Sequence, residues 1–259
     1  MLTFIKLGGS LITDKRVEAS FRAEVMARLA QEIAAAYTAA NPLVIGHGSG
    51  SFGHFAASRY GTMQGVATSE QWRGFAEVAT VAAELNYLVA HTLHQARVPV
   101  WRFQPSASAR CRDGLLYEMA LYPIQQALAH GLVPLVYGDV ALDDVRGGTI
   151  ISTEVVLSYL ADHLPVTRIL LLGEVDGVYD ESGVVISEIH PGNVDMYQAA
   201  LGGSGGTDVT GGMLTKVHDM LTLVQRVPGL TIRILNGNIP DLLRAALVDE
   251  ATPGTLIRP

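Results

Sequence analysis

Cysteine is almost absent: Cys111 stands alone in 259 residues. No disulfide can form within the chain, and a reducing compartment, the cytoplasm, is the expected location. Charge is sparse too. Charged residues make up 17%, the net charge is −7 and no long basic run occurs, which argues against nucleic acid as the principal ligand. No apolar run reaches the roughly 18 residues of a membrane span. The opening MLTFIKLGGS sets Lys6 inside an apolar run with glycines behind it, unlike a signal peptide. The dipeptide Gly-Lys never occurs, so there is no Walker A loop. Internal repeats, low-complexity tracts and linker-like composition shifts are missing as well. A soluble chain with no membrane or nucleic-acid partner is expected.

What is present is apolar and periodic. Hydrophobic residues make up 49%, enough for a sizeable core. Short runs bounded by Gly or Pro, apolar on both faces, predict strands over 2–7, 43–46, 98–103, 133–137, 168–172 and 231–235. Helical spacing predicts helices over 21–37, 66–96 (one long or two consecutive), 117–130, 154–163, 213–227 and 240–248. Turn signals at 143–148 and 180–183 add small antiparallel ribbons. Alternation of strands and helices implies an α/β fold: a three-layer αβα sandwich around a mostly parallel sheet. We expect one domain over 1–259, softly divided near residue 165.

In such sheets ligands sit beyond the carboxyl ends of the strands, and unusual stretches fall there. Lys6-Leu7-Gly8-Gly9-Ser10 follows the first strand, with Lys15 shortly after. Gly46-His47-Gly48-Ser49-Gly50-Ser51-Phe52-Gly53-His54 follows the second. Gly173 to Tyr179 contains Asp176, and a glycine-rich run ends at Gly212 before a helix carrying Lys216. Glycine lets backbone N–H groups approach a ligand, and a helix N-terminus adds partial positive charge. Three glycine loops, each with a lysine, point to polyphosphate. Lys6 is the strongest candidate, because an unpaired ammonium in an apolar strand is costly. The Gly48-x-Gly50-x-x-Gly53 spacing mimics a dinucleotide fingerprint. The acidic residue it requires would be Glu70, which sits in a capped helix start, Thr68-Ser69-Glu70-Gln71, so that reading fails.

Lys-x-Gly-Gly-Ser, the second glycine-rich strand end, Val-Asp-Gly-Val-Tyr and Asp-Val-Thr-Gly-Gly-Met-x-x-Lys together resemble the amino acid kinase superfamily, over nearly the whole chain. Gly-Ser-Phe-Gly-His at 50–54 is similar to its isopentenyl phosphate kinase branch and to the neighbouring fosfomycin kinases. The resemblance implies an acceptor lobe over 1–165 and an ATP lobe over 166–259, with Mg²⁺ arriving on ATP, no protein metal site and a homodimer. It implies catalytic roles for Lys6, Lys15, His54 and Lys216. Ser49, Gly50, Gly53, His54 and Thr153 would hold the acceptor phosphate. Lys6, Gly8, Gly9, Ser10, Gly50, Asp176, Tyr179, Gly212 and Lys216 would hold ATP. One departure stands out: Ser152-Thr153-Glu154 occupies the place of Ser-Gly-Asp. The implied reaction is phosphorylation of a small phosphomonoester, isopentenyl phosphate first. A phosphonate acceptor such as fosfomycin, or a non-catalytic nucleotide or anion sensor, are the alternatives. Asp139 and Asp176 would orient lysines or simply cap loops. Trp72, Phe75, Val78 and Ala82, with Ile150 or Val155, would line an apolar tail pocket or belong to ordinary core.

Overall fold

The computed structural model describes residues 1–198, 200 and 213–259. Its main sheet uses β1 (Leu2–Leu7), β2 (Leu43–His47), β3 (Val100–Arg102), β6 (Val133–Tyr137), β9 (Val166–Gly173), β10 (Glu188–Ile189), β11 (Thr231–Asn236) and β12 (Thr255–Ile257). A second sheet uses β4 (Arg110–Arg112), β5 (Leu115–Glu118), β7 (Asp139–Asp143) and β8 (Gly147–Ile151). The main sheet runs in the order β10-β12-β11-β9-β1-β2-β6-β3. From β11 to β3 all six strands are parallel, so their carboxyl ends share one edge.

The layers follow from the two-residue period of each strand. Leu2 and Phe4 join a core with Ile124 of α5 (Tyr122–Ala129), Val156 and Leu160 of α6 (Thr153–Ala161), and Val217 and Leu221 of α7 (Met213–Arg226). Ile5 and Leu7 face the other way. They join Met26 and Leu29 of α2 (Ala23–Ala36), Leu85 and Val89 of α4 (Ser69–Gln95), and Leu243 of α8 (Leu242–Leu247). Each such side chain contributes roughly 1.5–3 kcal/mol on burial. The result is the expected three-layer αβα sandwich with a mostly parallel sheet. Residues before 166 supply β1, β2, β6 and β3, and later residues supply β9 to β12, so the two sets meet at β1 and β9. Among the described residues no helix is long and apolar enough to cross a membrane.

The stretch 66–96 carries one helix and not two: α4 (Ser69–Gln95), opened by a capping box. Gln71 N–H donates to Thr68 Oγ1 at 3.2 Å, and Gln71 Oε1 accepts from Thr68 N–H at 3.0 Å. Glu70 therefore lies in a first helical turn and not at a strand end. The expected helix over 117–130 is corrected: Leu115–Glu118 is strand β5, and the helix begins at Tyr122. The β4–β5 hairpin turns at Asp113 and Gly114, both at positive φ, the left-handed geometry that Asp-Gly favours.

Asp143 holds both turns of the small sheet. Its Oδ1 accepts from the N–H groups of Asp113, Val145 and Arg146, and its Oδ2 from Gly114. Burial raises its carboxyl pKa, but these four donors outweigh burial and leave it below the ordinary value. Its contribution to stability is therefore complete above the ordinary carboxylate range and is lost as pH falls through the depressed value. Asp143→Asn, which sets an amide against the Gly114 N–H, is expected to cost about 1–3 kcal/mol. The loss measured by urea unfolding should shrink toward acid pH.

Candidate active site

Lys6 takes its place from the parity of β1. It shares a face with Leu2 and Phe4, the α6–α7 side, and lies one residue from the strand's carboxyl end. Its neighbours in register are Gly46 and Leu171. A Cβ on Gly46 would come within 2.7 Å of Thr153 Cγ2, so glycine there lets the start of α6 press against the sheet beside Lys6. Ser152 caps α6, its Oγ accepting from Val155 N–H at 3.2 Å. This places Glu154 in the first helical turn, where its Oε1 meets Lys6 Nζ at 2.7 Å. Burial pushes the Glu154 carboxyl up. The charge and hydrogen bond of Lys6, a backbone N–H and the charge of Lys216 outweigh burial and bring it below the ordinary value. Lys216 lies in the first turn of α7. Glu154 thus feels both lysines, a role that sequence reasoning missed. The longer acid in place of Asp reaches Lys6. The Thr153 hydroxyl is turned into the protein, where it donates to the His47 carbonyl at 2.6 Å.

The glycine stretches fold as two adjoining helix starts. Gly8 precedes the short α1 (Gly9–Ile12), whose second residue is Ser10, and its N–H donates to Leu172 O at 2.8 Å. Ser49 precedes α3 (Gly50–Tyr60), and Gly53 N–H donates back to Ser49 O at 3.2 Å. Gly50 has φ +49°, and a Cβ there would lie 2.2 Å from Thr13 Oγ1, so both conformation and space demand glycine. The Thr13 hydroxyl joins the two helices, donating to Gly9 O at 2.7 Å and accepting from Ser51 N–H at 2.9 Å. The stretch expected to wrap a ligand as a loop is therefore a helix N-terminus, with partial positive charge. His54 is exposed on α3. Lys15 lies exposed in the turn between Asp14 and Ser20. That turn is tied to α3 by Ser20 N–H on Ser51 Oγ at 3.1 Å and by Glu18 on Arg59 at 3.3 Å.

On the far side of β1, the ends of β9 and β11 converge. Asp176 accepts from Asn236 Nδ2 at 2.8 Å and from the Tyr179 hydroxyl at 3.3 Å. Gly212, expected at the nucleotide, lies outside the described residues. Asp139 proves to be a loop cap: it is buried and accepts from the N–H groups of Ser106 and Val140. Burial raises its carboxyl pKa against those hydrogen bonds.

Beyond His54, Ala56 and Ala57 of α3 form a small apolar cluster with Phe75 and Val78 of α4, Val140 of β7 and Ile150 of β8. Of the residues expected in a tail pocket, Phe75, Val78 and Ile150 meet here. Trp72 packs edge-on against Phe75, with ring centroids 5.3 Å apart. Ala82 is buried outside this cluster, and Val155 is exposed. Among the described residues, no group of three or more His, Cys, Asp or Glu side chains could hold a metal ion.

One available signal lies in the usage of basic residues. Lysine occurs only at 6, 15 and 216, and every other one of the 18 basic residues is arginine. The chain uses a compact, strongly hydrated ammonium only close to its glycine-rich stretches.

Residues 1–236 match the amino acid kinase family. Isopentenyl phosphate kinase of Methanothermobacter thermautotrophicus is 33% identical over 271 aligned positions, covering 99% of this chain and 98% of that protein. Isopentenyl phosphate kinase of Haloferax volcanii is 36% identical over 258 positions, covering 99% and 98%. A crystal structure of isopentenyl phosphate kinase superposes with a TM-score of 0.84 at 29% identity, covering 99% of this chain and 100% of that one.

Proposed function

The chain belongs to the amino acid kinase family, and we infer that it transfers the γ-phosphoryl group of ATP to the phosphate of isopentenyl phosphate, giving isopentenyl diphosphate and ADP. The observation that carries this reading is the Lys6–Glu154 pair, in the field of Lys216, at the carboxyl end of the central strand. It sits beside two helix starts, one of which carries His54.

An acceptor oxygen attacks the γ-phosphorus, and the bond from phosphorus to the bridging oxygen of ADP breaks. A phosphomonoester has a second pKa near 6, so this oxygen is already anionic at neutral pH and needs no general base. The chain's task is to hold two anions in line and neutralise them. Lys6 faces the migrating group, Lys216 the nucleotide phosphates and Lys15 the acceptor side. His54 donates to the acceptor phosphate, as do the N–H groups of Ser49 and Gly50, whereas that of Gly53 is already bonded to Ser49 O. N–H groups of Gly9 and Ser10 face the nucleotide, that of Gly8 being bonded to Leu172 O, while Asp176 and Tyr179 lie toward its nucleoside end. Mg²⁺ enters bound to ATP oxygens and water. The cluster of Phe75, Val78, Val140 and Ile150 takes the five-carbon tail. In this reading residues 1–165 hold the acceptor and 166–259 hold ATP, with Gly9 and Ser10 reaching the nucleotide from the first set.

The test is ADP release by purified protein with Mg-ATP and isopentenyl phosphate, fosfomycin or no acceptor. Turnover on isopentenyl phosphate well above the other two is expected. Turnover on fosfomycin alone would reassign the acceptor, and ATP binding without turnover on either would mark a sensor. Glu154→Gln keeps the shape but removes the charge that holds Lys6. It is expected to lower kcat about tenfold or more, and Glu154→Asp, which withdraws the carboxylate by one methylene, to lower it less. Equal kcat for all three proteins would show that Lys6 is held by other groups.

We assign the active form to a homodimer in the cytoplasm. Cys111 fits a reducing compartment, being buried, with its thiol pushed up to about 11 by burial and by Asp143 and Asp144. β3 is an edge strand beside a groove of about 370 Å³ lined by Tyr87, His91, His94 and Trp101. Nearly half of Trp101 is exposed, and an open edge of this kind invites a second copy. Light scattering is expected to give twice the monomer mass, and Trp101→Glu to reduce it to one.

A further inference from the structure

A second histidine, His47, ends β2, and no step above uses it. It pairs with Leu7 and Tyr137 in register and is fully buried. Its Nδ1 lies 3.1 Å from Gly48 O, and its Nε2 lies 3.0 Å from Asn86 Nδ2 on α4. A carbonyl oxygen only accepts, so Nδ1 carries the proton, and Nε2 then accepts from the Asn86 amide. One neutral tautomer satisfies both contacts. Only an imidazolium could donate at both ends, and burial disfavours it, drawing the pKa down to about 4 against the weaker opposing effect of Gly48 O. Tyr137 stacks on the ring at 5.6 Å with 7° between the planes, which fixes its orientation.

The consequence lies in the next peptide. In a planar trans peptide the C=O and N–H point in opposite directions. Gly48 O is turned inward to the ring, so Ser49 N–H points outward at the start of α3. Among the described residues it meets no protein acceptor. The His47 carbonyl accepts from the Thr153 hydroxyl and from Gly138 N–H, and Thr153 adjoins Glu154. One residue thus ties the turn before His54 to the helix that holds Lys6.

We propose that His47 is a positioning residue of the acceptor site: its Nδ1–H locks the Gly48 carbonyl inward and so aims the Ser49 N–H at the acceptor phosphate. This rests on the phosphate-acceptor reading above.

Two variants separate this role from simple core filling. His47→Asn keeps a donor near the Nδ1 position and loses the contact to Asn86. His47→Gln places its amide near Nε2 and loses the contact to Gly48. Each keeps one hydrogen bond, so the two are matched for stability. With Mg-ATP and isopentenyl phosphate, His47→Gln is expected to raise the acceptor KM about tenfold or more with the KM for ATP unchanged. His47→Asn should restore the acceptor KM to within about threefold of wild type. Equal losses in the two variants would overturn the proposal. Nitrogen NMR of the histidine-labelled wild-type protein gives an arm independent of turnover: at neutral pH His47 should be the Nδ1–H tautomer, and an Nε2–H tautomer overturns the proposal whatever the kinetics. A wild-type protein inert toward isopentenyl phosphate sinks the functional reading and this inference together. An active wild type with equally impaired variants sinks this inference alone.

Discussion

Lys6→Met is expected to lower kcat on isopentenyl phosphate by about 10³-fold or more, with little change in the acceptor KM. Charge on the migrating phosphoryl group must be met by a fixed cation, and cations in that position contribute about 10³–10⁵ in rate in related chemistry. Methionine keeps the apolar stem that packs in β1 and removes only the ammonium. It also strands Glu154, whose carboxyl is held below its ordinary value in part by Lys6. The double variant Lys6→Met with Glu154→Gln removes that stranded charge. It should regain whatever stability the single variant lost while kcat stays low. Single-turnover kinetics and thermal unfolding read the two effects separately, and a kcat within tenfold of wild type for Lys6→Met would move the phosphoryl group away from β1.

His54→Ala is expected to act on the other substrate. A hydrogen bond to a charged group contributes about 1.5–3 kcal/mol, so the acceptor KM should rise roughly 10- to 100-fold while the KM for ATP holds. The exposed position of His54 on α3 makes a folding defect a poor explanation for such a loss. An unchanged acceptor KM would shift the burden of binding to Lys15 and the N–H groups at Ser49 and Gly50.

How much of this could be read from residues alone differs by element. β1 was legible to the residue, because alternation with apolar residues on both faces leaves one register for a strand in a covered sheet. The start of α4 was legible because Thr68 and Gln71 carry their own local chemistry. The β4–β5 hairpin was not. Its strands are short and mostly exposed, and Tyr117 and Glu118 read as a continuation of the apolar spacing that begins at Tyr122. Asp113-Gly114 was the signal that could have found it. Glu154 was visible only as a departure. Whether a longer acid harms or helps depends on how α6 meets β1, and that depends on Gly46, a residue more than 100 positions away. His47 carried no local signal at all, since its partners Asn86 and Thr153 come from distant elements brought together by the sheet.

The meeting of β1 with β9 governs how the chain can be made or divided. β1 is synthesised early, yet one full edge of it stays unpaired until residues 166–173 arrive. A nascent or truncated chain ending near residue 165 presents the backbone of Leu2 to Leu7 as an open, apolar strand edge, the kind of template on which chains aggregate. Lys6, to which the proposed function assigns the migrating phosphoryl group, is carried on that same strand. No cut near the middle of this chain releases two soluble halves, and the site cannot assemble until both are in hand.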